Sequence, residues 1–234
     1  MEIPSQVALA KYWNKLLTPY AKADHRKAWF QLLTTGGLFA GTWLLMLWSL
    51  GVSYWLTLLL AIPAAGLQIR LFIFQHDCGH GSFFRSTALN NMVGGVIGVL
   101  MLTPYRYWQR THAIHHGTSG DLDRRSFGDV ETLTVDEYLA LSWIKRLGYR
   151  AYRNPLTLFV VGPIYQFVLK HRLPLDLPRS WRRERHSVMW TNLGLTIILA
   201  IAWLTIGLDS LLLVQLPITL ISGGVGVWLF YIQH

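Results

Sequence analysis

The chain has one cysteine, few charged residues and, over two long stretches, almost no charge at all. A single cysteine excludes an intrachain disulfide, so nothing here argues for an oxidising compartment. Cys78 reads as a small apolar filler. Acidic residues are outnumbered, 12 Asp and Glu against 21 Lys and Arg, and such an excess can mark a nucleic-acid partner. The arrangement excludes that reading. Positions 28–69 carry no charge, and positions 187–234 carry only Asp209. Two apolar blocks therefore flank a basic middle. With 52% hydrophobic residues and 14% charged residues, the expected solvent is lipid rather than water. The first fifteen residues lack an apolar core and a small-residue cleavage site, so they do not read as a signal peptide. No repeat, low-complexity tract or linker marks a second domain, and 1–234 reads as one unit.

A helix needs about 20 apolar residues to cross about 30 Å of hydrocarbon, and each block is long enough for two. The first divides near Gly51-Val52-Ser53 into spans near 29–50 and 54–74; the second divides near Gly207-Leu208-Asp209-Ser210 into spans near 188–206 and 211–231. The expected fold is all-α and integral to the membrane, four helices in two hairpins. Lys and Arg avoid both hairpin turns, which places the N-terminal and central segments on the cytoplasmic side. Trp29, Trp48, Trp55, Trp190 and Trp203 lie near span ends, as interfacial aromatics do, against a reading in which each fills a packing gap. Arg70 falls in the apolar run before the first histidine cluster, so the second helix is expected to project beyond the bilayer there, against a reading in which the Arg70 side chain snorkels to the interface. The shorter stretches 92–102 and 156–169 are expected to lie along the cytoplasmic surface or to re-enter the membrane.

Five of the nine histidines form two clusters beside these spans. His76 and His80 are four apart, on one helical face. His112, His115 and His116 are spaced by three and four, so one helix can present all three. Neutral imidazole is the commonest protein ligand for a metal and suits iron, zinc, copper and nickel. Five exceed what one tetrahedral zinc needs, and haem takes one or two. His234 ends the last span and returns to the same expected membrane face. The residues so far define a helical membrane protein with a cytoplasmic, His-rich metal site, without choosing between oxidation and hydrolysis.

The motifs resemble those of the membrane fatty acid desaturases, particularly the acyl-lipid branch acting at the Δ12 or ω-3 position. HDCGHGSFF at 76–84 is similar to that branch's first histidine box. HAIHHGTSGDLDRRSFGDVETLTVDEY at 112–138 is similar to its second box and following acidic stretch, and LFYIQH at 229–234 to the segment before the third. The resemblance implies two non-haem iron ions, O2 as co-substrate and a lipid-linked acyl chain as substrate. The iron ligands it implies are His76, His80, His112, His115 and His116, with His234 as a further candidate, and no catalytic group beyond them. It implies a separate electron donor such as ferredoxin or cytochrome b5, and a bacterial inner-membrane location.

The family's third box lies beyond the fourth span, whereas this sequence stops at His234, and His171 and His186 are isolated. The chain is therefore expected to be a fragment, truncated before the third box and unable by itself to hold two irons. Asp77, Asp121, Asp123, Asp129 and Glu131 are candidates for orienting ligand imidazoles, against a reading as solvated loop carboxylates. Arg179, Arg182, Arg183 and Arg185 are candidates for lipid phosphate or an acidic donor, against a reading as a stop before the third span. A membrane hydroxylase or ketolase with similar boxes, a membrane zinc hydrolase and a metal transporter are the alternatives. The transporter is disfavoured because its ionisable residues belong in mid-span.

Overall fold

The computed structural model describes residues 6–18, 22–125 and 130–233. All regular structure among them is helical. After an amphipathic α1 (Gln6–Leu17), the long helices are α2 (His25–Ser49), α3 (Tyr54–Gly79), α8 (Arg182–Thr205) and α9 (Leu208–Gln233). All four are long and apolar enough to cross a membrane. Their ends follow the breaks in apolar sequence. Asp24 caps α2 by accepting from the Arg26 and Lys27 backbone N–H groups, satisfying donors a helix start leaves unpaired. Gly207, at φ +80°, makes the turn between α8 and α9, where a side chain would be strained. Between the two hairpins lie α4 (Thr87–Leu100), α5 (Tyr105–Thr118), α6 (Val135–Ala140) and α7 (Trp143–Tyr152).

The hairpins differ in packing. Along α2 and α3 the contact is extensive, but α8 and α9 touch little, because α8 packs on α4 and α5 while α9 packs on α3. Polar side chains explain the pairing of α9 with α3. Gln68 Nε2 donates to Ser222 Oγ (3.0 Å), Gln215 Nε2 to Gln68 Oε1 (3.0 Å), and Trp43 Nε1 to Gln215 Oε1 (3.2 Å). In an apolar surrounding such groups must find one another, and they set helix register as they do so. Met46, Ala61, Ala64, Ala65, Val214 and Ile218 form the adjoining core, small residues letting the helices approach.

Both shorter apolar stretches are helical. α4 and α5 are apolar enough together to pass for one span but are bent by 102°. Leu102, in the bend, has φ 55°, an unfavourable backbone for a non-glycine residue. It is held from outside: Arg172 and His171 both hydrogen-bond to its carbonyl. The segment 157–169 is wound as two π-helical turns, Thr157–Val161 and Ile164–Leu169, separated by Gly162-Pro163.

Candidate metal centre

α3 continues past its apolar run to Gly79, with His80 as its C-cap, so both histidines of the first box ride on the helix end. Arg70, exposed in this last part, lies 5.7 Å from the Phe74 ring. The bend after α4 brings α5 across this end. Tyr105 donates from its hydroxyl to the Cys78 carbonyl (2.9 Å), and Gln109 Nε2 donates to the Gly79 carbonyl (2.8 Å). The bond to Gly79 uses a carbonyl of the last helical turn, where intrahelical partners run out; the Cys78 carbonyl accepts from the Gly81 N–H (3.0 Å) as well as from Tyr105. Gly79 permits the crossing, since a Cβ there would stand 2.6 Å from the Trp108 ring.

The crossing brings four imidazoles together. Ligand atoms of His76, His80, His112 and His116 all lie within 4.8 Å of one another. His112 is the hub, its Nε2 being 3.2 Å from His80 Nε2 and 3.0 Å from His116 Nε2. Two nitrogens on one ion at about 2.1 Å stand about 3.0 Å apart at a right angle and about 3.4 Å apart in a tetrahedron. The separations therefore fit nitrogens converging on a shared cation. A single proton at His112 Nε2 serves two facing nitrogens poorly.

Burial first, then the neighbouring rings of His76, His116, His80 and His115, push the His112 imidazole down to about 3. Burial likewise lowers His80. Low basicity keeps these rings in the neutral form that binds metal. Trp108 stacks on His112 with centroids 4.5 Å apart and planes at 17°, fixing the ring plane. Asp77 Oδ1 lies 3.2 Å from His76 Nδ1. A carboxylate there holds the proton on Nδ1 and leaves Nε2 free to ligate.

The fifth box histidine takes another course. At i and i+4, His112 and His116 point the same way; His115 at i+3 falls on the far side of His112. It is buried, with its ring centroid 6.2 Å from that of His112 and 5.0 Å from that of Phe230 on α9. His234 lies outside the described residues, as does Asp129. Of the other candidate acids, Asp121 caps the short turn Leu122–Arg124 and pairs with Arg124 at 2.6 Å; the Glu131 backbone N–H donates to the Tyr152 hydroxyl. His171 and His186 lie outside the four-histidine group. Trp108 was not singled out from sequence, though its position four before His112 was a readable sign that the two share a face.

A family model described as fatty acid desaturase matches residues 53–234. The chain is 46% identical to a fatty acid desaturase of Bacillus subtilis (strain 168) over 224 residues, 96% of this chain and 63% of that protein. Two relatives from Synechocystis sp. (strain ATCC 27184 / PCC 6803 / Kazusa) are more distant. One is an sn-1 oleoyl-lipid 12-desaturase, 28% identical over 76% of this chain and 48% of its own length. The other is an sn-1 acyl-lipid omega-3 desaturase (ferredoxin), 38% identical over 42% of this chain and 25% of its own. The chain thus spans less than two thirds of the length of these relatives. No solved structure matches it. With two histidine boxes joined in one imidazole centre and the family match running from the start of α3 to residue 234, the chain belongs to the fatty acid desaturase family.

Proposed function

We propose that this chain carries part of the metal centre of an O2-dependent desaturase acting on lipid-linked acyl chains at the Δ12 or ω-3 position. The observation that carries the reading is the convergence of His76, His80, His112 and His116 at the end of a membrane-length helix. Neutral imidazoles suit iron, and a site beside apolar spans suits a substrate that arrives through lipid. His115 faces α9 at Phe230, four residues before His234, which supports His115 and His234 as ligands on the second side of a two-iron centre. A bound iron pair supplies the oxidation of an unactivated C–H bond by O2.

The protein's own residues bind and orient. Tyr105 and Gln109 lock α5 onto the end of α3, so the two boxes hold one spacing. Trp108 and Asp77 fix two of the rings. The overall balance is an acyl –CH2–CH2– group plus O2, two electrons and two protons, giving a –CH=CH– group and two waters. The electrons come from a separate donor; ferredoxin is named for one relative, and cytochrome b5 is the other candidate. The distribution of Lys and Arg supports a cytoplasmic face for the centre in a bacterial inner membrane.

The test is fatty acid profiling of host lipids from cells expressing this gene with all coding sequence continuous with it, alongside metal analysis of the purified protein. New Δ12 or ω-3 double bonds together with bound iron are expected. Zinc with no O2 consumption would replace this reading with a hydrolase, and a hydroxylated or ketone product would move it to a hydroxylase or ketolase.

A further inference from the structure

Away from the histidines, α4 and α8 form a groove of about 500 Å³. Its two walls are helical stripes. α4 contributes Met92, Gly95, Val96 and Val99, and α8 contributes Arg183, His186, Ser187 and Trp190, each set recurring at three and four residues so that it faces one way. Its polar end is basic. Arg106, at the start of α5, lines this end beside Arg183 and His186; its backbone N–H donates to Ser187 Oγ at 3.0 Å, and one guanidinium nitrogen, Nη1, donates to Gln109 Oε1 at 3.0 Å. Glu184, the one acid in this part of α8, is turned away and buried, and pairs with Arg110 at 3.0 Å. Arg185 is also committed elsewhere, to the Pro174 and Leu177 carbonyls. Arg183 has no carboxylate within ion-pair distance among the described residues.

The apolar lining is open: Met92 is 56%, Val96 62% and Trp190 69% exposed. Trp190 follows Arg183 by two turns, about 10 Å along the helix axis. From there to the end of α8 no cation recurs. Cations at the mouth of a span and an apolar trough one tryptophan deeper match the order of a glycerophospholipid, anionic phosphate first and acyl chain after. We propose that this groove is a binding site for an anionic phospholipid, its phosphate held by Arg106, Arg183 and His186 and one acyl chain lying on Met92, Val96 and Trp190. The site stands on the groove alone and does not depend on which metal the histidines hold.

The test is native mass spectrometry of the purified full chain released from mixed micelles at pH 7. The micelles contain equal phosphatidylglycerol and phosphatidylcholine with identical acyl chains. Preferential retention of phosphatidylglycerol is expected. Arg183→Gln should lower that preference about fivefold, the effect of one cation beside an anionic surface, with a further drop in the Arg183→Gln/His186→Gln double variant. Gly95 has open space where a side chain would go, so Gly95→Phe should fill the trough and reduce retention of both lipids without disturbing the helix. Lys145→Gln, an exposed cation outside the groove, should change nothing. Equal retention of the two lipids by the unaltered chain overturns the proposal. So does a preference that Arg183→Gln leaves intact or that Lys145→Gln lowers equally, or a basic rim that retains an acidic protein but shows no headgroup selectivity.

Discussion

His112 and His171 are both pushed down to about 3 by burial, yet their surroundings differ in kind. His171 is enclosed by protein partners, with Nε2 2.9 Å from Gln166 Nε2, Nδ1 3.3 Å from the Leu102 carbonyl, and Tyr107 and Phe167 packed on its ring. Around His112 Nε2 stand two more imidazole nitrogens. Both rings are neutral, but of the two only His112 brings a ring nitrogen close to other imidazole nitrogens, at 3.2 and 3.0 Å. A depressed basicity therefore marks burial, and what fills the space around the nitrogens separates a supporting ring from a candidate ligand. The two sites are also coupled. His171 and Arg172 hold the Leu102 carbonyl in the bend that swings α5, and with it His112, over the end of α3.

His112 and His171 should differ most in metal binding. His112→Ala should lower the affinity of the purified chain for Co(II), read from visible absorbance, by more than about 100-fold, beyond the 10- to 100-fold typical of a ligand's outer partners. His171→Leu should leave it within about threefold; equal losses would erase the distinction. Stability should show the reverse. His171→Leu strands the Gln166 amide and weakens the hold on Leu102, and should cost about 1–3 kcal/mol in denaturant unfolding in detergent.

Acid should sharpen the same contrast. The folded protein holds His171 near 3, below the ordinary 6.5, so the unfolded chain binds more protons between those values. The contribution of the neutral ring is complete above about pH 6.5 and is lost as pH falls towards 3, by up to about 1.4 kcal/mol per pH unit. In His171→Leu the stability curve should be flatter over that window, and an unchanged slope would assign the acid sensitivity elsewhere. Trp108→Ala, which frees the His112 ring, should weaken Co(II) binding about tenfold, with Trp108→Phe recovering most of the loss. The smallest effect belongs to the α3–α9 tie, where Gln68→Leu removes the bonds to both Ser222 and Gln215 and should cost about 1.2 kcal/mol, at about 0.6 kcal/mol for each polar bond between membrane helices.

The spans were legible because lipid imposes a length and a composition on any helix that crosses it. Expected limits of 29–50 and 54–74 became His25–Ser49 and Tyr54–Gly79; the differences lie at ends where capping and α3's extension beyond its apolar run decide. The pairing of His76 with His80 was legible from helical spacing. The placing of His115 was not, since i+3 and i+4 positions diverge to either side of His112 and only the neighbouring helices decide which side meets the other histidines. The role of His171 was hidden as well. Its partners are 5 and 69 residues away along the chain, one of them a backbone carbonyl whose residue type carries no trace of the contact.

By itself the amino-acid sequence determined a helical membrane protein with two imidazole-bearing segments and the family to which it belongs, because hydrophobic length and histidine spacing are local properties. Tertiary structure alone decided that the second hairpin opens so that α8 joins α4 and α5 while α9 joins α3, that α5 turns through 102°, and that four histidines meet while His115 turns to Phe230. Those outcomes depend on which buried polar groups find partners across helices and on where small residues permit close approach. Neither is a property of any one segment.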